Sequence, residues 1–138
     1  MSDGMREILF RGKRTDNGEW VEGYLTRRVA AIQYKAHYSL WFIDKPPRDP
    51  DDSGVLYNVD RATVGQFTGL IDKHGDRKFE GDIFKFGDHL YIIEWDDGEL
   101  AFWANEPFEP DYSVALAEFS ADEIEVIGNV HDNPELLR

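Results

Sequence analysis

Phe10-Arg11-Gly12-Lys13-Arg14-Thr15-Asp16-Asn17-Gly18-Glu19-Trp20-Val21-Glu22-Gly23-Tyr24-Leu25 decides the fold class. From residue 6 the chain alternates, with Ile8 and Phe10 on one face and Glu7, Leu9 and Arg11 on the other. Asn17-Gly18 interrupts that period with a hairpin signal, because both residues tolerate positive φ. Residues 6–13 and 19–26 therefore read as two antiparallel strands. Outward from the hairpin, Arg27 to His37 fits either a strand or a short helix, and Leu40-Trp41-Phe42-Ile43 reads as a buried strand. The segment 45–54 holds three prolines and reads as an exposed loop, which excludes helix and central strand.

Strand composition resumes at Val55–Val59 and Val64–Leu70, and a turn follows at Asp72–Asp76. The second half reads as short strands over 79–86, 89–95, 100–103 and 124–130, with turns at Gly87-Asp88 and Asp96-Asp97-Gly98. Val114 to Phe119 fits a short helix or a strand. Asn133-Pro134-Glu135-Leu136-Leu137 reads as a final helical turn, with Asn as cap and Pro first. Such spacing predicts a mainly β protein with one or two short helices. An N-terminal β region over 5–70 is expected to pack on a C-terminal SH3-like β-barrel over 76–138, with a shared core. Leu136 and Leu137 are expected to dock on the body; left exposed, they would suit a subunit contact.

In Glu80-Gly81-Asp82-Ile83, Gly81 is expected to adopt positive φ where a turn enters a strand, and Asp82 to bond nearby backbone N–H groups. This turn resembles the opening of small SH3-like barrels.

The 138 residues carry 28 acidic and 15 basic groups, a net charge of -13, with 41% apolar residues. That is too apolar for a disordered chain. No cysteine is present, which excludes disulfides, Cys zinc sites and thiol nucleophiles. No apolar run approaches the ~20 residues of a membrane helix. Met1-Ser2-Asp3-Gly4 does not open a signal peptide, so a soluble cytoplasmic protein is expected.

The charge is uneven. Residues 1–70 hold ten acidic and ten basic groups, whereas residues 71–138 hold 18 and 5. Between Lys85 and Arg138 lie 14 carboxylates and no cation. Asp88, Glu94, Asp96, Asp97, Glu99, Glu106 and Glu109 are the candidate members of an acidic surface that meets a basic protein partner. A solvated face that only keeps the protein soluble fits the same composition. A second candidate is a basic–aromatic patch of Arg11, Lys13, Arg14, Trp20, Tyr24, Arg27 and Arg28, the residue types that hold single-stranded nucleic acid. Such charge asymmetry also suits head-to-tail self-association.

His37, His74, His89 and His131 lack the spacing of a metal site. Around Asp49, Asp51 and Asp52 the glycine and closing Glu are not spaced as in a calcium loop. Phosphate-binding loops, dinucleotide fingerprints and nucleophile elbows are missing too. A binding protein without catalytic residues, cofactor or metal is the expectation.

Several segments together are similar to the YopX family of bacteriophage and prophage proteins. They are Arg6-Glu7-Ile8, Phe10-Arg11-Gly12-Lys13, Gly65-Gln66-Phe67-Thr68-Gly69-Leu70 with Asp72 and Gly75, Phe79-Glu80-Gly81-Asp82-Ile83, and Val126-Ile127-Gly128-Asn129-Val130 followed by Asn133-Pro134-Glu135-Leu136-Leu137. They span residues 5–138 in order, with the poorest match over 28–63. The resemblance implies a mostly β phage-encoded protein working in the bacterial cytoplasm, and it transfers no catalytic residue.

Overall fold

The computed structural model describes residues 7–32, 36–45, 54–72 and 74–138. The chain is mainly β, with eleven antiparallel strands among the described residues. It divides into two compact units, 1–66 and 67–138.

In the first unit, β1 (Phe10–Lys13), β2 (Trp20–Ile32), β3 (Ala36–Lys45) and β4 (Val55–Val59) form a sheet in the order β4-β3-β2-β1. The expected hairpin is β1–β2, with Lys13 opposite Trp20 and Phe10 opposite Gly23. Its connection is longer than a two-residue Asn-Gly turn. Gly18 alone takes positive φ, at 73°, while Asn17 Oδ1 accepts the Glu19 N–H at 2.9 Å. Asn17 thus serves by its side chain. The ambiguous stretch after residue 26 is strand as far as Ile32 and again from Ala36, in nine consecutive register pairs from Tyr24–Asp44 to Ile32–Ala36. Most of the proline-rich loop lies outside the described residues. Among the described residues of this unit, Leu9, Ile43 and Val59 are the buried apolar ones.

β5 (Gly65–Ile71) starts in the first unit, where Gly65 and Gln66 pair with β1, and ends in the second. There it pairs with β6 (Arg77–Phe79). The turn between them is held by Asp72, whose carboxylate accepts Lys78 Nζ at 2.8 Å and the N–H groups of His74 and Asp76 at 2.9 and 3.0 Å. Lys78 is buried.

The remainder is a five-stranded sheet of β7 (Asp82–Phe86), β8 (His89–Asp96), β9 (Ala101–Asn105), β10 (Val114–Ala115) and β11 (Glu125–Asn129), ordered β10-β9-β8-β7-β11. No pairing of β10 with β11 closes it among the described residues. Phe84, Tyr91, Ile93, Ala104, Leu116 and Ile124 are its buried core. Phe84 stacks on Tyr91 at 5.3 Å and meets the Phe119 edge at 5.3 Å.

Gly81 has φ 92°, and Asp82 Oδ2 accepts the Phe79 N–H at 2.8 Å, both as the sequence predicts. The short helices are 3-10 turns of three or four residues rather than α-helices, among them Arg61–Thr63, Leu116–Glu118 and the final Pro134–Leu137. Val114 to Phe119 is therefore a two-residue strand followed by a 3-10 turn. Leu136 and Leu137 are half-buried.

Phe84→Ala should lower unfolding free energy by about 3–5 kcal/mol in denaturant melts, because a fully buried ring leaves a cavity. The Lys78 ammonium, with the Asp76 and His74 N–H groups, holds the Asp72 carboxyl down to about 2 against an ordinary 3.8. A carboxylate depressed in this way stabilises the fold above the ordinary value, and that stability is lost as pH falls from about 4 toward 2. Asp72→Asn should flatten the thermal-melt curve over that window and lower the melting temperature at pH 7.

Candidate functional site

Strand register sorts the cations of the first unit onto two faces, since directly paired residues share a face. Arg11, Trp20, Tyr24, Arg28 and Phe42 fall on one face, and Arg27, Trp41 and Tyr57 on the other. The expected basic–aromatic patch is thus split. On the first face the Arg11 guanidinium lies 4.7 Å and Lys13 Nζ 5.4 Å from the Trp20 ring centre. Glu22 sits directly opposite Arg11 in the register. Arg28 lies 5.5 Å from the Phe42 ring, and Tyr24 is exposed.

The second face runs into an open cleft of about 510 Å³, lined by Lys13, Arg14, Trp41, Asn58, Arg61 and Thr63 among others. Arg61 and Arg27 both sit on Trp41, at 5.1 and 6.0 Å. Arg14 covers Tyr57 at 4.6 Å. It also donates to both Asp16 carboxylate oxygens, at 2.9 and 2.6 Å. This contact raises the Arg14 pKa and lowers that of Asp16. Asp60 caps the 3-10 turn that carries Arg61, accepting from the Ala62 N–H at 3.0 Å. Arg61 and Trp41 were missed by sequence reading, because Arg61 lies 34 residues after Arg27. The β3–β4 pairing, together with the Lys13 N–H on Thr63 Oγ1 at 2.8 Å and the Asp60 N–H on the Lys13 carbonyl at 2.9 Å, brings that turn to the patch.

The acidic residues of the second unit also divide. Glu94, Asp96, Asp97 and Glu99 gather where β8 turns into β9, whereas Asp88 lies in the turn before β8. At about 3.3 Å per residue, Asp88 and Asp96 are roughly 25 Å apart. Glu109 follows β9, toward the Asp88 end.

Glu106 is not a surface residue: its side chain is 3% exposed. Its Oε1 accepts the Phe108 N–H at 2.8 Å, and its Oε2 lies 3.2 Å from His89 Nδ1. Burial pushes this carboxyl up, yet the Phe108 N–H, His89 and the Glu109 N–H outweigh it and hold the group below its usual range. Tyr112 stacks on the His89 ring at 4.2 Å. His89, Glu106 and Glu109 offer three ligand atoms within 4.8 Å of one another. The hydrogen bonds to Phe108 and Glu109 explain the arrangement as a clasp on the loop 105–112.

The β8–β9 tip combines charge with apolar surface. Trp95 is 42% exposed and Leu100 is 74% exposed. Leu100 is the single non-glycine residue of positive φ, at 55°, among the described residues. Asp96 Oδ1 accepts the Glu99 N–H and Asp97 Oδ1 accepts Trp95 Nε1, each at 2.8 Å. Phe102 props the Trp95 ring edge-on at 5.1 Å. None of the four tip carboxylates has a cationic partner among the described residues.

A family model described as YopX protein matches residues 9–138. The chain belongs to the YopX family. No curated protein matches it. The match runs through both units. No helix among the described residues is long and apolar enough to cross a membrane.

Glu106→Gln should leave the core intact and release the clasp. Amide exchange at Phe108 and Glu109 should quicken, while exchange at Ile93 stays slow.

Proposed function

We propose that this YopX protein is a non-enzymatic binding module whose second unit takes a basic protein partner at the β8–β9 tip. One observation carries the reading: Trp95 and Leu100 stand exposed at the hairpin end that also carries Asp96, Asp97 and Glu99, with Asp97 bonded to the Trp95 indole. Tryptophan is the residue type most enriched among binding hot spots, and uncompensated carboxylates around it speed and orient encounter with a cationic surface. The backbone at Leu100 adds to this. Left-handed φ costs an ordinary residue roughly 1–2 kcal/mol, and glycine would avoid that cost. A large apolar side chain at such a position, pointing into solvent, is well explained by a contact that uses it.

The finer fold reading belongs to the same proposal. The Glu80-Gly81-Asp82 turn that opens the longest meander supports kinship with small SH3-like barrels. The family supports a phage or prophage product that works in the cytoplasm of its bacterial host.

The test is affinity capture from nuclease-treated bacterial lysate at low and high salt. Wild-type protein should retain a basic protein at low salt and release it at high salt. Asp96→Lys/Asp97→Lys should lose it, and so should Leu100→Gly. The last variant should melt no lower than wild type, since relief of the strained φ offsets the added chain entropy of about 0.5–1 kcal/mol. Retention that survives all of these substitutions would sink the tip as the binding site.

A further inference from the structure

The first unit holds a second, differently charged site. Arg27 and Arg61 both lie against the Trp41 ring, and neither guanidinium has a carboxylate partner among the described residues. Two like charges on one ring, with no counter-ion among the described residues, are an arrangement that an anion completes. The ring reduces what the guanidiniums lose on binding, because stacking already orders their planar forks. Arg14 differs, since Asp16 neutralises it. The cleft beside them adds the Thr63, Asn58 and Thr15 polar groups and the Tyr57-backed Arg14 plane, and its one carboxylate, Asp60, accepts the Ala62 N–H at 3.0 Å.

We infer that the cleft lined by Trp41 and Arg61, with Arg27 held on the same Trp41 ring, binds a nucleoside phosphate. Guanidinium forks match phosphate oxygens bidentately, and flat guanidinium and aromatic surfaces stack on nucleobases. A carboxylate ligand would use the forks and leave those flat walls without a partner. The cleft volume of about 510 Å³ falls in the usual range of roughly 300–1,000 Å³ for small-ligand sites. Net charge decides the size of the ligand. The first seventy residues are neutral overall, but the whole chain carries -13, which repels a long polyanion. A mononucleotide or a short single strand meets far less of that repulsion.

The experiment is isothermal calorimetry on the full chain with four ligands: adenosine monophosphate, a six-nucleotide deoxyadenylate, inorganic phosphate and neutral adenosine. Saturable 1:1 binding of the monophosphate, or tighter binding of the hexanucleotide, supports the inference and says whether the nucleotide is free or part of a strand. Arg61→Ala and Arg27→Ala should each weaken it at least tenfold. Arg28→Ala, on the opposite face over Phe42, should leave it unchanged. Trp41→Phe keeps an aromatic platform and should weaken it less than either arginine variant. Melting curves report whether each variant folds. No saturable nucleotide binding would overturn the inference. So would inorganic phosphate binding as tightly as the nucleotides, or an equal loss in Arg28→Ala.

Discussion

The second unit depends on how its backbone passes through Gly81. With φ at 92°, this residue donates its N–H to the Ile93 carbonyl at 2.7 Å and accepts the Val130 N–H at 2.9 Å. One peptide neighbourhood thereby joins the start of β7 to the middle of β8 and to the chain just beyond β11. Asp82 secures it from inside. Its buried carboxylate takes the Phe79 N–H, which would otherwise be an unsatisfied donor in an apolar setting. A side chain at position 81 would meet left-handed strain, so the turn, the register of β7 on β8 and the placing of Phe84 over Tyr91 would all shift together. Phe84 in turn fixes Phe119 and the 3-10 turn before it.

That framework explains why one run of acidic residues does two kinds of work. Glu106 turns inward at the end of β9, where backbone N–H groups and His89 replace the water it gives up. Glu94, Asp96, Asp97 and Glu99 lie at the other end of the β8–β9 hairpin, where a tight turn leaves no interior to enter. No cation among the described residues meets their charge, and Trp95 and Leu100 stand exposed at the same hairpin end. The first unit separates its cations by the same logic of strand faces. Arg14 is spent on Asp16, while Arg27 and Arg61 share one ring and have no carboxylate partner among the described residues.

Much of the β framework was legible in the chain. Period-two alternation around Asn17-Gly18 gave the first hairpin, and Gly81 with Asp82 gave the main turn of the second unit. Both are local signals, set by residues within a few positions of each other. Arg27 to Ile32 resisted such reading, because its composition suits helix or strand and only nine paired residues on β3 settle the matter. Loop 105–112 resisted it too. A glutamate among prolines looks solvent-facing, and nothing local announces the histidine seventeen residues upstream that clasps it.

The sequence by itself determined the β class, the turns, the acidic second half and membership of the YopX family, since each rests on neighbouring residues or on order along the chain. Tertiary structure alone decided which charges act together. Strand pairing is long-range, and a shift of one residue moves a side chain to the opposite face. It put Arg61 beside Arg27 on Trp41, sent Arg28 to the other face, and buried Glu106 while leaving Asp97 in water.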